Sequence, residues 1–321
     1  MRALVVNCSA PHYNLGAHKL ADWLAEQGHT VSYWDGDPGI AGTPADLVAL
    51  SVIFSWHAPI AAQIALRYKT NAEVWCGGPG MFELGDWWRV ETGLICHKGI
   101  DPRFDKQRGN YRMTFASRGC WVNCYFCIVP KMEGTRFTLD WDFQPAPILC
   151  DNNLSGLPPK FQEHIVKRYT ETGTKLMDAN SGFEPRSFTE NTYHRWWDVL
   201  RGPWRFAFDT LDEEKWVRPM MSVLGMESPK RKQVYCLIGN EPFEQCYYRF
   251  RQIIAWGGEP YCQPVMPLDA LSRDDITVAH DWTKQRLKDF ARFANRHLWR
   301  SMKLSEYLPR LGESRPFAAL T

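Results

Sequence analysis

Over residues 1–98 the apolar and polar positions fall into short apolar runs separated by amphipathic stretches. Ala3, Leu4, Val5 and Val6 make a first strand. Over 15–27 the residues Leu20, Trp23 and Leu24 recur at helical spacing, and Gly28 stops the pattern. A second strand is predicted over 30–34, closed by the turn-forming residues 35–39. Residues 47–54 predict a third, apolar throughout, as a strand buried on both faces should be. A helix over 59–68 and a fourth strand over 73–76 follow, and that strand runs into Gly77, Gly78, Pro79 and Gly80. Strands alternating with helices imply a parallel sheet covered on both faces.

The stretch 99–111 is rich in Arg, Lys, Asp and Gly and predicts a linker between a domain over 1–98 and a second over 112–271. Strand signals recur there at 113–116, 147–150, 174–177, 205–208, 233–238 and 259–262. Helical segments lie between them, for example 161–172 and 243–256. Six such repeats suggest a partial (β/α)6 barrel, in which ligands sit at the carboxyl ends of the strands. The last segment, 272–321, reads as helical over 276–311, with Trp282, Phe290, Phe293, Trp299 and Tyr307 packing it across the barrel. The fold class expected is α/β, a parallel sheet followed by a partial barrel and a C-terminal helical segment.

The chain has 321 residues, of which 45% are hydrophobic and 14% aromatic, enough to bury a sizeable core and to argue against disorder. Its 38 Lys and Arg against 36 Asp and Glu leave +2, which does not indicate a nucleic-acid partner. Arg286, Lys288, Arg292, Arg296 and Arg300 do give the last segment a basic face, for which a solvated helix surface is the ordinary explanation. No apolar run is long enough to span a membrane, and the first residues lack the features of a signal peptide. A cytoplasmic location is therefore expected, and with it cysteines that serve as thiols or metal ligands rather than disulfides.

The strongest chemical signal lies in 120–127, where Cys120, Cys124 and Cys127 are spaced by three residues and then two, after a predicted strand and the turn 117–119. A short loop of this spacing can bring three thiolates to three corners of an iron–sulfur cube and leave the fourth iron open. An open metal position binds a substrate or cofactor. Three buried cysteines of an apolar loop would be a plainer account, but the spacing at a strand end argues against it. Zinc wants four ligands, usually in two pairs, and no second pair follows at finger or ribbon spacing.

Through these three cysteines, with an aromatic residue, Phe126, before the last, the sequence resembles the radical S-adenosylmethionine superfamily over about 112–271. The resemblance implies a [4Fe-4S] cluster on Cys120, Cys124 and Cys127 and a partial barrel around it. It implies reductive cleavage of S-adenosylmethionine to a 5′-deoxyadenosyl radical, for modification, methylation included, of an unknown substrate. It also implies a one-electron reductant such as flavodoxin or ferredoxin. Phe126 would contact the adenine. Asn153 stands after the second barrel strand, where the family's usual Gly-Gly-Glu is replaced by Asp151, Asn152 and Asn153. Asp209, at the end of the fourth strand, would hold a ribose or substrate hydroxyl, or else cap the helix that begins near Glu213. Ile238 and Gly239, within 237–241, resemble the fifth-strand motif that grips the adenine.

Residues 46–52 and 75–79 resemble the Rossmann-like cobalamin-binding domain that precedes many enzymes of this superfamily, which implies cobalamin as a further cofactor. The family's Asp-x-His-x-x-Gly is missing, and His12 and His18 have the wrong spacing. The expected cradle is the set of strand-end loops 7–11, 55–59 and 77–80, with glycines admitting the ring and Trp56 covering it. Cys8, Cys76 and the run 126–130 resemble the tRNA methylthiotransferases, an alternative reading as a nucleic-acid-modifying enzyme, but a third cysteine is lacking in 51–57. A non-enzymatic iron–sulfur regulator that binds nucleic acid is a further alternative. The remaining cysteines, Cys8 and Cys76 among them, are most simply buried apolar thiols.

Overall fold

The computed structural model describes residues 1–39, 43–308 and Phe317. The chain is of mixed α/β type and divides into two compact units, Met1–Ala146 with Pro267–Asp275, and Pro147–Met266 with Ile276–Thr321. The polar stretch 99–111 and the cysteine loop both lie in the first unit.

The first unit is built on β1 (Arg2–Asn7), α1 (Leu15–Glu26), β2 (Thr30–Asp35), β3 (Leu47–Ser51), α2 (Ala58–Tyr68) and β4 (Glu73–Gly77). The four strands are parallel in the order β2-β1-β3-β4. Side chains alternate across a strand, so the central pair feeds two cores. Leu4, Val6, Val48 and Leu50 pack with Ile64 and Ala65 of α2, while Ala3, Val5, Leu47 and Ala49 pack with Ala17, Leu20 and Leu24 of α1. Each fully buried Val, Leu or Ile among these contributes about 1.5–3 kcal/mol. Asn14 caps α1, its Oδ1 accepting from Ala17 N at 3.1 Å. The third strand is shorter than its apolar run over 47–54. Val52 N donates to Gly77 O at 2.9 Å, but the chain then turns through Ser55–His57 into α2, whose first turn carries Pro59.

The unit continues through α3 (Gly85–Thr92), α4 (Pro102–Asp105), β5 (Met113–Thr114), β6 (Ser117–Arg118), α5 (Val129–Met132) and β7 (Thr138–Leu139). β6 and β7 pair antiparallel, so the cysteine loop is the connection of a hairpin and not of a βα unit. The expected turn at 117–119 is therefore half strand.

In the second unit β8 (Ile148–Leu149) is followed by α6 (Pro159–Thr172), β9 (Asp178–Ala179), α7 (Glu190–Trp197), β10 (Trp204–Ala207), α8 (Glu214–Val223), β11 (Lys232–Ile238), α9 (Phe243–Ala255) and β12 (Glu259–Pro264). β8 pairs with β9, and β10, β11 and β12 pair in that order, all in parallel. The strand expected at 174–177 is displaced. Met177 N and Asp178 N both donate to Pro147 O, at 2.8 and 3.2 Å, which breaks the ladder and moves the pairing to 178–179.

Among the described residues of the last segment the one α-helix is α10 (Lys284–Asn295), followed by 3-10 turns at Leu298–Arg300 and Leu304–Glu306. Thr283 caps α10 through Arg286 N, and His297, at φ 54°, stops its continuation. Residues 276–283 are not helical, and 309–311 lie outside the described residues. Trp282, Phe290, Phe293 and Tyr307 are buried as expected, whereas Trp299 is only half-buried. Of the basic face, the Arg286 guanidinium lies 4.7 Å from the Phe243 ring and Arg300 pairs with Glu259, while Lys288, Arg292 and Arg296 are exposed, in keeping with a solvated helix surface. Among the described residues no helix is long and apolar enough to cross a membrane.

Candidate functional site

The loop that carries Cys120, Cys124 and Cys127 is closed at a narrow neck. Gly119 N donates to Glu133 Oε2 at 2.9 Å, Arg118 Nη1 to Glu133 Oε1 at 3.2 Å, and Cys120 N to Gly134 O at 3.2 Å. Gly119 has φ 89°, and a Cβ there would lie 2.3 Å from Arg136 O, so no other residue fits. Within the loop Cys127 N donates to Cys124 O at 3.0 Å, and Val129 N donates to Cys127 Sγ at 3.4 Å. The second bond is chemically informative, because amide donors to sulfur stabilise a thiolate ligand. Phe126 is half-buried and meets Tyr125 edge to face at 5.1 Å.

Exposure separates these cysteines from the rest. Cys120, Cys124 and Cys127 are half-buried, while the other seven are buried. Burial pushes the Cys8 thiol up to about 12 and raises Cys76 and Cys96, so these stay protonated and are poor ligands. Cys96 packs in the same core as Cys8 and Cys76, a neighbour that the sequence does not reveal. Even so, among the described residues no three His, Cys, Asp or Glu side chains converge as one metal ion requires. A cube takes each thiolate on a different iron, and three half-buried thiols within eight residues are the type of donor it uses.

At the strand ends of the second unit, Asn153 is buried and its Oδ1 accepts from Gly156 N at 2.8 Å. Ile238 is fully buried at the end of β11. Gly239, at φ 90°, faces the chain's own Leu287, whose Cδ2 would be 3.1 Å from a Cβ there. Asp178 holds Arg205 bidentately, at 2.7 and 3.0 Å. Asp209 does not cap the following helix. Thr210 and Glu213 form that capping box, and Asp209 Oδ1 instead accepts from Leu237 N at 3.0 Å, tying the end of β10 to β11.

The charged surroundings of Asp209 are dense. Glu213 Oε2 accepts from Asp209 N, Glu213 also pairs with Arg186, and the fully buried Arg249 pairs with Glu241 at 2.9 Å. Burial, followed by the nearby Glu213, pushes the Asp209 carboxyl up to about 7. The folded chain thus keeps a proton that the unfolded chain loses near the ordinary carboxylate pKa, and the contribution of this group to stability falls as pH rises from roughly 4 to 7. Asp209→Asn keeps the acceptor for Leu237 N and removes the titration. Its melting temperature relative to wild type is expected to rise with pH across that window and level off above it. A difference that stays constant with pH would refute the assignment.

The glycines at the strand ends of the first sheet are packed against the chain itself. A Cβ at Gly78 would lie 2.4 Å from Val52 O and one at Gly80 2.6 Å from Phe54 C, so these glycines admit the neighbouring loop of the same chain. Trp56 stacks on Phe54 at 4.7 Å, with the Arg273 guanidinium 5.8 Å from its ring. The polar groups there bind one another: Asn7 Nδ2 donates to Asp35 Oδ1, Asn14 Nδ2 to Asn7 Oδ1, and Ile53 N to Ser9 Oγ. The site residues the sequence left unnoticed are Glu133, Arg118 and Arg249. Only the adjacency of Gly119 to Cys120 hinted at the neck, and nothing marked Arg249 as other than a surface cation. No family model matches the chain, and no curated protein does.

Proposed function

We propose that the chain is a radical S-adenosylmethionine enzyme, with a Rossmann-like domain ahead of a partial barrel. The observation that carries this reading is the loop of Cys120, Cys124 and Cys127, half-buried where every other cysteine is buried, with a backbone amide already donating to Cys127 Sγ. In this reading these three thiolates hold a [4Fe-4S] cluster, which supplies the electron that cleaves S-adenosylmethionine to a 5′-deoxyadenosyl radical. Phe126 offers a ring edge to the adenine. Asn153, Asp209, Ile238 and Gly239 are the further cofactor contacts of this reading, Asp209 as a carboxyl able to give or accept a hydrogen bond near neutrality. The partners are a one-electron reductant such as flavodoxin or ferredoxin and a substrate that carries the abstracted hydrogen.

The test is anaerobic reconstitution of wild type and of the triple variant Cys120→Ala, Cys124→Ala, Cys127→Ala. Wild type is expected to take up iron and sulfide and to release 5′-deoxyadenosine from S-adenosylmethionine with dithionite, and the variant to do neither. Equal iron in both proteins removes the cluster assignment. Iron in wild type without 5′-deoxyadenosine leaves an iron–sulfur protein of another class.

A further inference from the structure

We infer that Glu133 is a positioning residue for the cysteine loop, through the neck it closes; this rests on the cluster reading above. Its side chain is only 3% exposed, and both carboxylate oxygens are used on the two residues that precede Cys120. One oxygen holds Gly119 N, which fixes the peptide leading into the first cysteine. The other holds Arg118, whose second amino group donates to Asp105 Oδ1 at 2.7 Å and whose guanidinium lies 3.5 Å from the Phe115 ring. Asp105 in turn faces Lys19 of α1, with Nζ 3.9 Å from Oδ1 and a hydrogen bond to its carbonyl. The chain Glu133–Arg118–Asp105–Lys19 therefore runs from the last turn of the cysteine segment to the helix that covers the first sheet. Two anions and two cations alternate along it, so the neck is held without net charge.

The consequence for the loop is specific. Glu133 follows Cys127 by six positions and reaches back to the residue before Cys120, so one side chain sets the separation of the two ends of the ligand segment. Removing its charge leaves Arg118 in excess beside the loop, which favours the more negative state of any bound cluster and raises its potential. Removing its acceptor as well frees Gly119 N and lets the first ligand wander. Outer-shell partners of this kind change metal retention by about 10–100-fold.

Wild type, Glu133→Gln and Glu133→Ala are reconstituted anaerobically and compared by iron and sulfide content, electron paramagnetic resonance of the reduced state, midpoint potential and iron release to a chelator. Circular dichroism of the iron-free proteins reports the fold. The glutamine variant keeps an acceptor for Gly119 N, and is expected to bind iron with a raised potential. The alanine variant is expected to lose iron to chelator about tenfold or more faster, with an altered spectrum. If alanine prevents folding, the potential of the glutamine variant decides alone. Wild-type potential, spectrum and iron retention in the folded variants overturn the inference and leave the cluster reading standing. Failure of wild type itself to take up iron overturns both.

Discussion

Arg249→Met is expected to lower the stability of the chain by about 3–5 kcal/mol, the loss typical of breaking a buried ion pair from one side. Arg249 has no exposed surface. Its Nε donates to Glu241 Oε2 at 2.9 Å, Nη1 to Phe208 O at 2.6 Å and Nη2 to Leu237 O at 2.8 Å, so a single guanidinium satisfies two carbonyls at the ends of β10 and β11. It also contacts Cys236 Sγ and Cys246 Sγ, at 3.0 and 3.3 Å. Methionine fills much of the volume but donates nothing, which strands these acceptors and leaves the Glu241 carboxylate without its cation. Urea denaturation followed by tryptophan fluorescence measures the loss. Adding Glu241→Gln should recover part of it, because the glutamine oxygen still accepts from Leu211 N while the unpaired charge is gone. A single-variant loss below about 0.5 kcal/mol, the range of ordinary surface substitutions, would show that the network is solvated.

Gly119→Ala should cost roughly 2–5 kcal/mol locally, the sum of a left-handed backbone that a Cβ disfavours and an overlap with Arg136 O that must be relieved by moving the hairpin. The neck cannot then close, and loop residues Lys131 and Arg136 should be cut by trypsin far sooner than in wild type. Gly134→Ala is the matched control. It has nearly the same φ, 88°, but nothing lies within 4 Å of its Cβ position, so it carries the backbone penalty without the overlap. Equal protease sensitivity in the two variants would mean that the close approach at Gly119 has no mechanical role.

The sequence by itself determined the parallel sheet of the first unit, because β1 and β3 are apolar on both faces and only a strand covered by helices on both sides tolerates that. It singled out the cysteine loop as well, since the spacing of Cys120, Cys124 and Cys127 is a local property of the chain. It also predicted that the other seven cysteines are buried, the usual place of a free thiol. Tertiary structure alone decided what the glycines are for. Gly78 and Gly80 carry no mark that distinguishes a ligand cradle from a seat for Val52 and Phe54, because the occupant comes from a distant part of the chain. The same holds for Asp209, whose partner Leu237 is brought beside it by strand pairing, and for Glu133, which has meaning only once a hairpin returns it to Gly119. Arg249 is the extreme case. A charged residue on a helix reads as solvated in any sequence pattern, and only the carbonyls left open at two strand ends, with Glu241 beside them, make its burial favourable.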